Sequence, residues 1–92
     1  MLESLNVAAE PNPLEEITLK IETLDTRGLR TPDPILKIAV KSVKMKVGGV
    51  LEVWGDCPTF EKDVRTWCEG TGRSLLSIES EGPKTKIVRI QF

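Results

Sequence analysis

The sequence contains no histidine and no tyrosine, only two cysteines, two tryptophans and two phenylalanines, and a formal charge close to zero. Without histidine, no imidazole can act as general base or metal ligand. Two cysteines cannot build the usual zinc clusters and make a disulfide framework implausible. The chemistry left to the chain is that of carboxylates, lysines, hydroxyls and thiols, and nothing in it calls for a metal or a cofactor. The balance of 13 basic against 14 acidic residues offers no global attraction for nucleic acid or an anionic bilayer. No apolar run approaches the ~20 residues needed to span a membrane, and no basic-then-apolar leader opens the chain. A cytoplasmic protein is expected.

What is present fits one compact domain. Ninety-two residues, 39% hydrophobic and 29% charged, are enough for a modest core without crosslinks. Residues 1–16, with Pro11 and Pro13, read as a disordered tail, and 17–92 as a single domain. Ile17, Leu19 and Ile21 alternate with Thr18, Lys20 and Glu22, which predicts a first strand running towards Leu24 and broken at Gly28. Pro32 and Pro34 suit a helix start. After them Ile35, Leu36, Ala39, Val40, Val43 and Val47 form an apolar stripe opposite Lys37, Lys41 and Lys44, ended by Gly48 and Gly49.

Val50 to Trp54 reads as a largely buried strand, and Pro58 as the first position of a second helix. Phe60, Val64, Trp67 and Cys68 share one face of that helix, and Gly70 and Gly72 supply its stop. Residues 74–79 and 86–92 follow as two strands, with Leu76 and Ile78 facing Val88, Ile90 and Phe92. The order β-α-β-α-β-β, with right-handed crossovers, implies an α/β two-layer sandwich: a mixed four-stranded sheet with two helices on one face.

In such a fold the loops after the first two strands lead into helix N-termini at one edge, where free N–H groups favour an anion. The first loop carries Leu24, Asp25, Arg27, Gly28, Leu29, Thr31, Pro32 and Pro34. The second carries Trp54, Gly55, Asp56, Cys57 and Pro58. The first resembles the L-D-x-R-G-L-x-C-P-x-P motif of the TusA/SirA-like sulfur-carrier family, with Thr31 where the family has cysteine. The segments 49–58 and 67–72 also resemble that family, so the likeness runs from about Ile17 to Phe92.

The resemblance implies a carrier that takes persulfide sulfur from a cysteine desulfurase or rhodanese and passes it to an acceptor protein. It implies partner contacts at Arg27, Arg30, Pro32, Pro34 and Lys37. Threonine holds no transferable sulfur, so the implied activity needs another thiol or is lost. Three accounts of Thr31 follow. The domain is a non-catalytic interaction or regulatory module in which Thr31 caps a helix; or the thiol has moved to Cys57, before Pro58 at the second helix start; or the substitution silences the protein. A moved thiol requires Cys57 at the surface near Thr31, and a buried Cys57 sinks that reading.

Cys57 also has a structural reading, as a small residue filling a loop. Cys68 reads as core. Arg27 and Arg30 could steer an anionic partner or simply be solvated, and the lysines at 37, 41, 44 and 46 read as the wet face of a helix. Asp25 and Asp56 are expected to orient the loops by accepting backbone N–H groups. RNA binding, suggested by a resemblance in fold to the C-terminal domain of a translation initiation factor, is opposed by the neutral charge and the missing stacking aromatics.

Overall fold

Alternation of side chains in the second strand organises the sheet. In the computed structural model, which describes residues 21–92, strand β2 (Val50–Gly55) buries Leu51, Val53 and Gly55 and leaves Val50, Glu52 and Trp54 on the other face. It pairs in parallel with β1 (Ile21–Asp25) and antiparallel with β4 (Thr85–Gln91), and β3 (Ser74–Glu81) lies antiparallel outside β4. The spatial order is β1-β2-β4-β3. Helix α1 (Asp33–Ser42) connects β1 to β2, and α2 (Phe60–Thr71) connects β2 to β3. The expected mixed four-stranded sheet with two helices on one face is what the chain forms. The proposed tail, 1–16, and the first residues of the expected strand, 17–20, lie outside the described residues.

One core sits between the helices and the sheet. Leu51 and Val53 meet Ile90 and Val88 across the β2–β4 ladder, and onto them pack Ile38 of α1 and Phe60, Val64 and Cys68 of α2. Burying each large aliphatic side chain of this set is worth roughly 1.5–3 kcal/mol. Gly72 ends α2 in the left-handed conformation at φ 72°, with its N–H bonded to the Cys68 carbonyl.

Three details differ from the sequence reading. In β1 the core-facing residues are Glu22 and Leu24, opposite Leu51 and Val53, whereas Ile21 is more than half exposed on the other face. Glu22 is accommodated by an ion pair with Lys41 of α1 at 2.6 Å. On α1 the buried residues are Pro34 and Ile38, and Ile35 of the expected stripe packs on the core; Leu36 and Val40 face solvent, as do Val43 and Val47, which lie beyond the helix because it ends at Ser42 and not at Gly48. The helix has two apolar stripes, and the sheet takes the one headed by Pro34. In β3, a register shift between Leu75 and Ser77 turns Leu76 outward, so that Leu75 rather than Leu76 packs on the core.

The face of the sheet away from the helices carries a polar layer. Arg27 makes a paired contact to Asp25, with Nε 2.9 Å from Oδ1 and Nη2 2.7 Å from Oδ2, and its guanidinium lies 5.0 Å from the centre of the Trp54 ring. The Trp54 indole N–H donates to Glu52, and Arg89 bridges Glu52 and Glu79. Ile87, flanked on this face by Trp54 and Glu79 in the register, is only 5% exposed although it lies outside the core cluster.

The packing at Gly55 and the Asp25–Arg27 pair give three expected outcomes. A Cβ added at Gly55 would lie 2.5 Å from carbons of the buried Phe60 ring. Gly55→Ala should therefore cost about 1–3 kcal/mol in denaturant unfolding. The Arg27 guanidinium and backbone N–H hold the Asp25 carboxyl down at about 2. A carboxyl depressed when folded stabilises above its unfolded value near 3.8 and loses that contribution as pH falls towards 2. Asp25→Asn should flatten the acid limb of stability in that window. NMR titration should show Arg27→Ala moving the Asp25 midpoint back up.

Candidate functional site

Thr26 brings the two loops together. Its N–H and its hydroxyl both donate to the Trp54 carbonyl, at 2.7 and 2.8 Å, and it is the one fully buried polar residue among those described. The loop after β1 is thereby tied to the end of β2. Asp56 then accepts the N–H of Gly28 at 2.9 Å and lies 3.2 Å from the Arg30 guanidinium. Gly28 has φ of 89°, which suits a residue without Cβ at this turn. The Gly28 N–H, followed by Arg30, holds the Asp56 carboxyl below its usual range, and Asp25 likewise accepts the Arg27 N–H. Both carboxylates thus bond the loop backbone.

Thr31 does not cap α1, since the helix start has no side-chain cap bond. Its exposed hydroxyl instead donates across to Asp63 of α2, with Oγ1 2.9 Å from Oδ2. The Thr59 hydroxyl reaches the same Oδ2, also at 2.9 Å. On the far side of Thr59 stands Cys57, its Sγ 3.5 Å from Thr59 Oγ1. The order Thr31, Asp63, Thr59, Cys57 is therefore continuous, with the position of the motif's cysteine at one end and the chain's second-loop cysteine at the other.

Cys57 lies near Thr31, but it does not stand on the surface. It is 6% exposed and belongs to the core cluster, which corrects the expectation of a surface thiol. It is among the residues that line an open cleft of about 400 Å³, whose charged lining is Arg30, Asp56, Glu61, Lys84 and Lys86. Lys86 approaches Glu61 at 3.8 Å, and Arg30 is paired with Asp56. The Thr59 hydroxyl first, then the backbone N–H groups of Thr59 and Thr31 and the charge of Arg30, draw the thiol's pKa below its ordinary value, while burial opposes them. Burial alone pushes the Cys68 thiol up, as expected of a core residue.

The other residues named from sequence separate into two places. Arg30 joins the cleft. Arg27 sits on the open face of the sheet against Asp25 and Trp54, away from the helices. Pro34 is on the buried side of α1, which removes it from any contact surface, whereas Pro32 and Lys37 are exposed. Pro58 is not the first residue of α2; the helix begins at Phe60, with Thr59 as its cap residue. Thr26, Thr59 and Asp63 were missed by sequence reasoning. Thr59 and Asp63 stand four apart, a spacing that places both on one side of a helix start. Lys84 and Lys86 reach the cleft from the β3–β4 hairpin, a juxtaposition only the fold creates. Among the described residues no group of three or more metal-ligating side chains occurs, and no helix is long and apolar enough to cross a membrane.

Comparison with known proteins agrees with this architecture. The family model described as "Sulfurtransferase TusA" matches residues 22–91. The chain is 40% identical over 63 residues to a protein of Aquifex aeolicus (strain VF5) named "Putative sulfur carrier protein", covering 68% of this chain and 32% of that one. It is 36% identical over 59 residues to "Putative sulfur carrier protein YrkF" of Bacillus subtilis (strain 168), covering 64% of this chain and 32% of that one. The chain thus spans about a third of the length of these curated relatives. With the strand order, the two helices on one face and a family match over most of its length, this chain belongs to the TusA sulfurtransferase family.

Proposed function

We propose that this domain takes part in sulfur relay between proteins as a docking domain, without presenting a sulfur-bearing thiol in its resting form. The partner is a sulfur-relay protein such as a cysteine desulfurase or rhodanese. It is met at the edge formed by the two loops, where Arg30, Thr31, Pro32 and Lys37 are accessible. The observation that carries this reading is the state of the motif position: a threonine hydroxyl stands where the family has a thiol, and it is engaged with Asp63. Family membership supports the relay, and two unpaired cysteines fit a reducing compartment such as the cytoplasm.

Intact-protein mass tests this reading after incubation with a cysteine desulfurase, cysteine and pyridoxal phosphate. The docking reading expects the native chain to keep its mass and Thr31→Cys to gain one sulfur, about 32 Da. A gain on the native chain that disappears in Cys57→Ser would overturn it. No gain on any of the three would remove the desulfurase as donor.

A further inference from the structure

Helix α1 presents apolar side chains on the side that the sheet does not cover. Leu36, Val40 and Val43 are spaced by four and three, and Val43, at the helix C-cap, keeps helical backbone angles, so the three fall in one line. They are 56%, 63% and 84% exposed, while Pro34 and Ile38 on the opposite side are buried. A continuous apolar line in solvent marks a contact surface. Its border is basic. Lys37, Lys41 and Lys44 each follow a member of the line by one residue and therefore form the adjoining face of the helix. Lys41 is paired with Glu22 of β1 at 2.6 Å, which shows that this face turns towards the start of that strand. Among the described residues neither Lys37 nor Lys44 is in an ion pair, and both are exposed.

An occupant of this surface must offer apolar side chains beside carboxylates. A second copy of α1 does not, since it sets lysine against lysine. The segment of this chain that precedes β1 does. Residues 1–20 hold four of the 14 acidic residues of the sequence and one of its 13 basic ones. β1 is an edge strand, and the chain enters it at Ile21, next to Glu22 and hence next to the lysine face of α1. Going back from Ile21, Glu16 and Glu15 stand five and six residues away and Leu14 seven. At ~3.3–3.6 Å per residue they reach up to about 17–25 Å. A helix with its side chains is only about 10–12 Å across. The glutamates can therefore meet the lysine face and Leu14 the apolar line beyond it.

We propose that the segment ahead of β1 docks on α1, with Glu15 and Glu16 against Lys37 and Lys44 and Leu14 on Val40 and Val43. The order of residues along the segment matches the order of faces met on the way round the helix, lysines first and the apolar line second. Lys37 also belongs to the edge at which a relay partner is proposed to dock, so such a partner must displace the segment there. That consequence rests on the relay reading, whereas the contact itself does not.

The test is NMR on the full chain with labelled leucine and valine methyl groups. Cross-relaxation between the methyls of Leu14 and those of Val40 or Val43, unchanged on dilution, is the expected result. Glu15→Lys with Glu16→Lys should weaken those cross-peaks roughly two- to tenfold, the worth of two exposed ion pairs. Lys37→Glu with Lys44→Glu should do the same, and all four changes together should restore the cross-peaks, since the charges are then exchanged and not lost. None of the four residues belongs to the core, and unchanged methyl shifts of Leu51 and Val53 verify that the fold is intact. Absence of the contact in the full chain would overturn the proposal. So would cross-peaks found only between differently labelled molecules, which assign the apolar line to a second copy, or cross-peaks equally strong in both reversal variants, which leave the charges without a role. No sulfur transfer enters the measurement, so failure of the relay reading would leave this contact standing.

Discussion

Everything at the candidate site depends on the double donation of Thr26 to one carbonyl of Trp54. A loop between a strand and a helix has many possible paths, and ordering it costs roughly 1–2 kcal/mol per residue in backbone entropy. Two short bonds from a fully buried threonine hold the first turn against the end of β2. Arg30 then meets Asp56, Gly28 meets the same carboxylate, and Thr31 arrives opposite Asp63. Residues about thirty apart in sequence share one edge because the first anchor sits at the strand end, where the register of β1 against β2 is already set.

Much of this arrangement was legible in the sequence, and what was not has identifiable physical causes. The element order and the helix face Phe60, Val64, Cys68 followed from periodicity, because a polar opposite face leaves only one phase. In helix α1 only Ile35 of the expected stripe packs on the core. Nearly every residue there that is not lysine is apolar, so Leu36, Val40 and Val43 form as good a stripe as Pro34 and Ile38. The position of the preceding loop decides which stripe meets the sheet, and that is tertiary information. Likewise Ile21 and Leu24, three apart in a strand, must lie on opposite faces, and alternation among the apolar residues ahead of them pointed to the face that is exposed. A bulge such as that at Leu76 leaves no mark in composition.

At the site itself the sequence showed which residue was missing but not what its neighbours would do. The loop prolines and the second-loop cysteine were visible, and so was the departure at Thr31. The carboxylate that engages that threonine comes from the first turn of a different helix, and the lysines of the cleft come from a hairpin near the end of the chain. Neither relation can be read from spacing. The burial of Cys57 has the same origin: a small side chain beside Phe60, at the junction of two loops, is drawn into the core by the packing around it.

The position of Arg27 changes what the first motif signifies. With its guanidinium on Trp54 and its charge on Asp25, this arginine belongs to the sheet's solvent-facing layer, on the side opposite the helices and the thiol. Leu24 packs on the core and Gly28 supplies a turn. Most of the recognisable signature therefore encodes a way of leaving a strand and entering a helix, independent of whether a reactive atom is mounted at its end. Sequences gathered by that signature are gathered by shared architecture.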